Sequence, residues 1–268
     1  MEKGNEFTDK MNEKMEIKIF KDYQALSEQA ASEIEEVIKL KPDAVICLAT
    51  GESPKLTYQL LVKKLIDGKI DLSDCTLIGL DEWVGVPPTT EGSCHHFLYK
   101  EIFSPLGISE NQIHLFDALS GNLFLECQNM DKLILEKGDI DLMVVGIGMN
   151  GHIGFNEPGI PVDNYSHVIN LDSTTQTVGQ KYFAHPTELK KGITLGLKHL
   201  LQAEKVVLLA NGDKKASIIK ETLEGPISID VPATVLRMHL NAMVIIDEEA
   251  AGLLSEKTLL DSQTASNV

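Results

Sequence analysis

Asp141 to Pro158 reads DLMVVGIGMNGHIGFNEP, and this stretch decides the fold. Leu142 to Val145 is a short apolar, β-branched-rich run bounded by Asp141 and Gly146, the pattern of a strand covered on both faces in a parallel sheet. In such sheets ligands bind just past the carboxyl ends of the strands. Gly146, Gly148, Gly151 and Gly154 then let the backbone take positive φ or pass close to a ligand. Within that loop stand Asn150, His152 and Glu157, and a glycine-flanked histidine followed five residues later by a glutamate suggests an acid/base pair. A solvated loop histidine and a plain turn at Asn156-Glu157-Pro158 are the structural alternatives.

Working outward, the same strand-then-loop pattern recurs. Glu16 to Phe20 alternates as a short strand, and Asp22 caps a helix carrying Leu26, Ala30, Ile34, Val37 and Ile38 on one face. Ala44 to Ala49 is a buried strand that runs into Thr50-Gly51-Glu52-Ser53-Pro54, and Pro54 suits the first turn of the helix that follows. A helix amino terminus at that loop offers N–H groups and a positive dipole end to an anion such as phosphate; the alternative is an ordinary turn with Ser53 as N-cap. Cys75 to Leu80 is a third strand, with Asp81-Glu82-Trp83 at its end. Adjacent side chains of an extended chain face opposite ways, so one acid alone points into a crevice there, and Asp81 is the expected one. Ser93 caps a helix whose His95 and His96 read as surface or loop-packing residues.

Asn122 to Lys137 reads as helix, a helix from Asp172 or Ser173 carries Lys181, and Gly192 to Leu197 and Val206 to Ala210 read as strands. Asn211 to Ala216 forms another strand-to-helix junction, where Lys215 can meet a phosphate as a point charge. Met243 to Ile246 is the last strand. The expected architecture is α/β: a doubly wound, mostly parallel sheet with helices on both faces in a single domain over residues 16–255. A flexible tail is expected over 1–15 and a polar tail over 256–268.

Composition narrows the function. With 24 Lys and Arg against 40 Asp and Glu, the formal charge is −16, and no basic stripe forms, which argues against nucleic-acid and anionic-membrane partners. The four cysteines, Cys47, Cys75, Cys94 and Cys127, have no CxxC spacing and read as reduced core or near-core thiols; no metal site is implied. No apolar run approaches membrane-spanning length and the first residues lack an apolar leader core, so the expected location is the cytoplasm.

Three segments, LATGESP (48–54), LDEW (80–83) and GIGMNGHIGFNEP (146–158), resemble in order and spacing the motifs of the glucosamine-6-phosphate deaminase/isomerase family. KPDAVICLATG, KGITLGLKHLL and VPATVLRMH further resemble its galactosamine-6-phosphate isomerase branch. The resemblance implies conversion of a 2-amino-2-deoxyhexose 6-phosphate to a ketohexose 6-phosphate and ammonia, with no cofactor and a hexosamine 6-phosphate as partner. It leaves the oligomeric state open, a homo-oligomer included. By the same resemblance Asp81 matches the base that moves a proton between C2 and C1, His152 the acid/base that opens the ring, and Glu157 the carboxylate that orients it. Thr50, Gly51 and Ser53 match the phosphate loop and Lys215 its lysine, while Lys181 falls where many relatives carry arginine.

Three positions depart from the family pattern. Asn150 replaces an aspartate, Glu52 brings a negative charge into the phosphate loop and is expected to turn away, and 159–169 lacks the basic residues of the effector site in regulated members. An unregulated enzyme is therefore expected. Two other readings stay open: a 6-phosphogluconolactonase, although such relatives carry GHTAS and DER where this chain has GHIGFNEP and DEW, and a sugar-phosphate sensing module, for which 1–15 is too short to hold a helix-turn-helix.

Overall fold

The computed structural model describes residues 15–68 and 71–265; of the tail expected over 1–15, residues 1–14 lie outside them. Seven strands form one wholly parallel sheet: β1 (Glu16–Phe20), β2 (Val45–Leu48), β3 (Thr76–Gly79), β5 (Ile113–His114), β6 (Leu142–Gly146), β9 (Lys205–Ala210) and β10 (Ala242–Asp247), in the spatial order β1-β10-β9-β6-β2-β3-β5. Between and around them run α1 (Tyr23–Leu40), α2 (Glu52–Ile66), α3 (Cys94–Leu98), α4 (Leu123–Lys137), α5 (Ser173–Gly179), α6 (Leu197–Gln202), α7 (Ala216–Glu224) and α8 (Glu256–Ala265).

Period-two alternation sorts the strand side chains into two cores. Cys47, Met143, Val145, Leu208 and Val244 face one cluster, while Ile46, Leu48, Val144, Leu209 and Ile245 face the other. The sheet is thus covered on both sides, as the unbroken apolar runs predict. Each fully buried aliphatic side chain contributes about 1.5–3 kcal/mol, so the four buried residues of β6 anchor the centre of the molecule.

From β2 the chain winds outward through β3 to β5, and from β6 it winds the other way through β9 to β10. The β2/β6 boundary is therefore the switch point, the place where a doubly wound sheet opens a crevice. Asp141 fixes its register: its carboxylate accepts from Val45 N at 2.7 Å and from Lys41 Nζ at 2.8 Å. Asp22 and Ser93 cap their helices as read from the sequence, and Asn122 and Asp172 do the same, each of the four accepting a first-turn N–H.

Three differences from the sequence reading come from contacts between segments distant in the chain. Asp81–Trp83 does not simply trail β3; it forms β4 of a second sheet, antiparallel to β8 (Lys191–Thr194), which in turn pairs with β7 (His167–Asn170). The expected strand over 192–197 is thereby cut at Thr194, and Leu197 begins α6. Residues 256–265, expected as polar tail, form α8, which packs against β1 with Ser262 buried. Among the described residues no helix is long and apolar enough to cross a membrane.

Candidate active site

At the switch point a cleft of about 340 Å³ opens over the carboxyl ends of β2 and β6. Thr50, Gly51, Ser53, Asp81, Gly146, Gly148, Asn150, His152, Lys181 and Lys215 all line it. These ten residues come from segments 165 positions apart, and Glu157, 3% exposed, sits directly behind the histidine.

One end of the cleft has groups that could receive an anion. Gly51 caps α2 at φ +113, a conformation open to glycine, and no side chain caps this helix. The first-turn N–H groups could therefore serve an anion, with the helix dipole behind them. Ser53 lies inside the first turn rather than at the cap, and its hydroxyl donates to Asn211 Oδ1 at 2.8 Å. Lys215 donates to the Ile147 carbonyl at 2.6 Å. Burial, aided by the nearby charge of Lys181, lowers its ammonium from 10.5 to about 8. Two ammonium groups close enough to repel, in a cleft with open helix N–H groups, create a local demand for negative charge that the acidic chain as a whole opposes. Glu52 is exposed at the rim of the cleft, and its charge adds to the burial that pushes the Tyr182 phenol up to about 12.

Asp81 and Glu82 divide as the alternation of an extended chain requires. Glu82 is 2% exposed and accepts from the backbone N–H of Trp83, Cys94 and His95 at 2.8–3.0 Å, which ties β4 to the start of α3. Asp81 opens on the cleft. Burial raises its carboxyl from 3.8 to about 7, against the pull of a hydrogen bond from Cys94 and with a smaller push from the charge of Glu82.

The glycine loop places His152 opposite Glu157. His152 Nδ1 lies 3.4 Å from Glu157 Oε2 and 3.1 Å from Thr175 Oγ1. Glu157 also accepts from Asn150 Nδ2 at 2.8 Å and from Asp172 N at 3.2 Å. Burial works against its charge, yet the hydrogen bonds from His152, Thr175 and Asn150 hold its carboxyl below the ordinary value. Asn150 is thus a donor to Glu157, where an aspartate would set two carboxylates side by side. A Cβ on Gly148 would sit 2.4 Å from the His152 ring, so no side chain fits there while the imidazole keeps its place. Phe155, packed on Trp83 with ring centroids 4.5 Å apart, and Asn156, bonded to the carbonyls of Ile153 and Leu195, clamp the far side of the loop.

Thr175, Cys94 and His96 were not singled out as site residues, although all three line this cleft. The helix cap at Asp172 was legible, and with it the first turn that carries Thr175; nothing local marks Cys94 or His96. Among the described residues no cluster of His, Cys, Asp and Glu could hold a metal ion.

Residues 21–245 match the model of the family described as glucosamine-6-phosphate isomerases/6-phosphogluconolactonase. The chain belongs to that family. Among relatives of this glucosamine-6-phosphate isomerase/6-phosphogluconolactonase family, the glucosamine-6-phosphate deaminase of Thermoanaerobacter sp. (strain X514) is 38% identical over 246 residues, covering 91% of this chain and 97% of the relative. The putative deaminase AgaI of Escherichia coli (strain K12) is 42% identical over 226 residues, 84% of this chain and 89% of that one. A solved structure of a monomeric glucosamine-6-phosphate deaminase superposes with a TM-score of 0.86 at 34% identity, over 89% of this chain and all of the other. The 6-phosphogluconolactonase of Trypanosoma brucei shares the fold, with a TM-score of 0.73 at 19% identity.

Proposed function

We propose that the chain converts a 2-amino-2-deoxyhexose 6-phosphate, galactosamine-6-phosphate or glucosamine-6-phosphate, to a ketohexose 6-phosphate and ammonia. The observation that carries this reading is the meeting, in one cleft, of a raised-pKa carboxylate, a carboxylate-backed imidazole and an anion site flanked by two lysines. The names of the deaminase relatives support it.

The phosphate rests on the Thr50–Ser53 loop between Lys181 and Lys215, which fixes the sugar in the cleft. His152 gives a proton to the ring oxygen and takes the one on the anomeric hydroxyl, so the ring opens to the aldehyde. Asp81 then removes the proton from C2 and delivers it to C1, while the C1 oxygen takes up a proton and the nitrogen gives one up; the double bond to nitrogen that results at C2 is hydrolysed by water to the ketone, and ammonia leaves. A single carboxylate serves both carbons because the open chain is held beside it. Glu157 fixes the tautomer and orientation of His152, the task of the acid in a Ser-His-Asp triad, here without a nucleophile. Lactone hydrolysis has no use for that glutamate.

The deciding experiment measures ammonia release from the two hexosamine 6-phosphates against hydrolysis of 6-phosphogluconolactone. Ammonia release with ketohexose 6-phosphate in equal amount is expected; lactone hydrolysis without it overturns the reading, as does a thermal-shift response without turnover.

The two perturbed groups set the pH dependence. Asp81 works as a base only when ionised, so kcat/KM rises as pH passes about 7; Lys215 holds phosphate best when charged, so kcat/KM falls as pH passes about 8. A bell with limbs near those values is expected. Lys215→Met should raise KM by ~10-fold or more, the worth of one hydrogen bond to a charged group, and should flatten the alkaline limb. An unchanged alkaline limb in an active Lys215→Met variant would remove Lys215 from the phosphate site.

A further inference from the structure

The proposed acid/base steps and phosphate loop leave Cys94 without a task, although it is placed between the two. It is the first residue of α3 and 4% exposed, and its sulfur accepts from Thr50 Oγ1 at 3.3 Å while lying 3.4 Å from Asp81 Oδ1. Among the described residues it is the one hydrogen-bond partner of the Asp81 carboxylate. An ionised carboxylate can only accept, so the S–H proton must point at Asp81, and the Thr50 hydroxyl is left with the sulfur lone pair. The order of donors runs from the phosphate loop, through the thiol, to the carboxylate.

We infer that Cys94 is a positioning residue for the base: its thiol aims the Asp81 carboxylate into the cleft, favours its ionised form, and couples it to the Thr50 loop. This rests on the reading of Asp81 as the base. Among the described residues no other group is hydrogen-bonded to that carboxylate. Glu82 beside it is acidic and spent on three backbone N–H groups. Cys47 of β2, Tyr58 of α2 and Tyr182 lie near enough to feel its charge, but no hydrogen bond joins any of them to the carboxylate, and the Tyr58 hydroxyl donates to the Ala49 carbonyl at 2.7 Å. His152, Lys181 and Lys215 line the cleft, but none of them bonds to Asp81. Burial keeps the Cys94 thiol protonated, and so a donor rather than a nucleophile.

The experiment is the pH profile of kcat/KM on the hexosamine 6-phosphate for the parent, Cys94→Ala and Cys94→Ser. Loss of the donor should move the acid limb of Cys94→Ala to higher pH by about half a unit or more, a roughly threefold loss on that limb with little loss above it. Cys94→Ser, with a stronger donor, should keep the limb at or below the parent's position. A uniform loss in Cys94→Ala with the limb unmoved overturns the inference, as does a limb that rises equally in Cys94→Ser. If the parent releases no ammonia, the functional reading fails, and the thiol is read directly. The infrared S–H stretching band that disappears in Cys94→Ala should shift as Asp81 titrates in the parent and stay fixed in Asp81→Asn; a band indifferent to pH in the parent overturns the inference on its own.

Discussion

Asp81→Asn is expected to abolish nearly all turnover and, above neutrality, to make the protein more stable. A positioned general base typically contributes ~10²–10⁴-fold, and Asp81 is proposed to serve two carbons in succession, so the loss should lie at the upper end, with KM little changed because the substitution leaves the proposed phosphate loop untouched. The stability effect follows from its raised pKa. Folded, the carboxyl holds its proton to about 7, whereas unfolded it would release it near 3.8. Between those values the folded chain binds more protons, so stability falls as pH climbs from about 4 to about 7 and stays reduced above. The amide has no such penalty. The gap is worth on the order of 2–4 kcal/mol at most, offset in part by an amide N–H left without a partner, so a gain of a few degrees in Tm is expected at pH 8 and none at pH 4. Melting curves at the two pH values, beside single-turnover rates, decide it. Equal Tm differences at both values would show that burial of charge at Asp81 is not the cause, and normal turnover would remove Asp81 as the base.

That penalty was not visible in the chain, although the residue was. LDEW gives the alternation that sends one acid inward, and the strand before it fixes which one. What raises the pKa is the protein packed round the carboxyl, assembled from α3, β2 and α2, and this has no signature in three consecutive letters. The same contrast holds for the fold. Buried strands such as VVLLA and LMVV declare themselves because both faces are covered, and the caps declare themselves because they are local. The small sheet does not: β4 has three residues, β7 is half-exposed HVIN, and β8 is cut short by a helix, so none shows a period long enough to read. Likewise α8 is mostly polar, and its docking against β1 depends on a surface made by distant segments. Among site residues the glycine loop was legible as a block, while Cys94 and Thr175 enter it from α3 and α5, and only the topology brings them there.

The imidazole gives the second large effect, and it should differ in kind from the first. His152→Gln keeps a polar side chain in the loop but cannot shuttle a proton between the ring oxygen and the anomeric hydroxyl, so turnover of the cyclic hexosamine 6-phosphate should fall by ~10²–10⁴-fold. Glu157→Gln should fall less, by ~10–10²-fold, as when a metal-bound histidine loses the outer partner that orients it. The imidazole then remains but has lost the carboxylate 3.4 Å from its Nδ1. Substitution of Glu157 also leaves Asn150 Nδ2 and Asp172 N, both aimed at its oxygens, to a neutral amide that accepts through one oxygen where the carboxylate used two. The roles of the imidazole and of the Asp81 carboxylate are separable by a reaction that skips ring opening. A ketohexose 6-phosphate opens spontaneously, so with ammonia present in deuterated water the parent should wash deuterium into C1. His152→Gln should retain much of that exchange, because Asp81 still moves the proton, whereas Asp81→Asn should lose it. Equal loss of exchange in both variants would place His152 in the proton transfer itself, and retention in Asp81→Asn would return the base to a different residue of the cleft, for which His96 at its wall is the first to test.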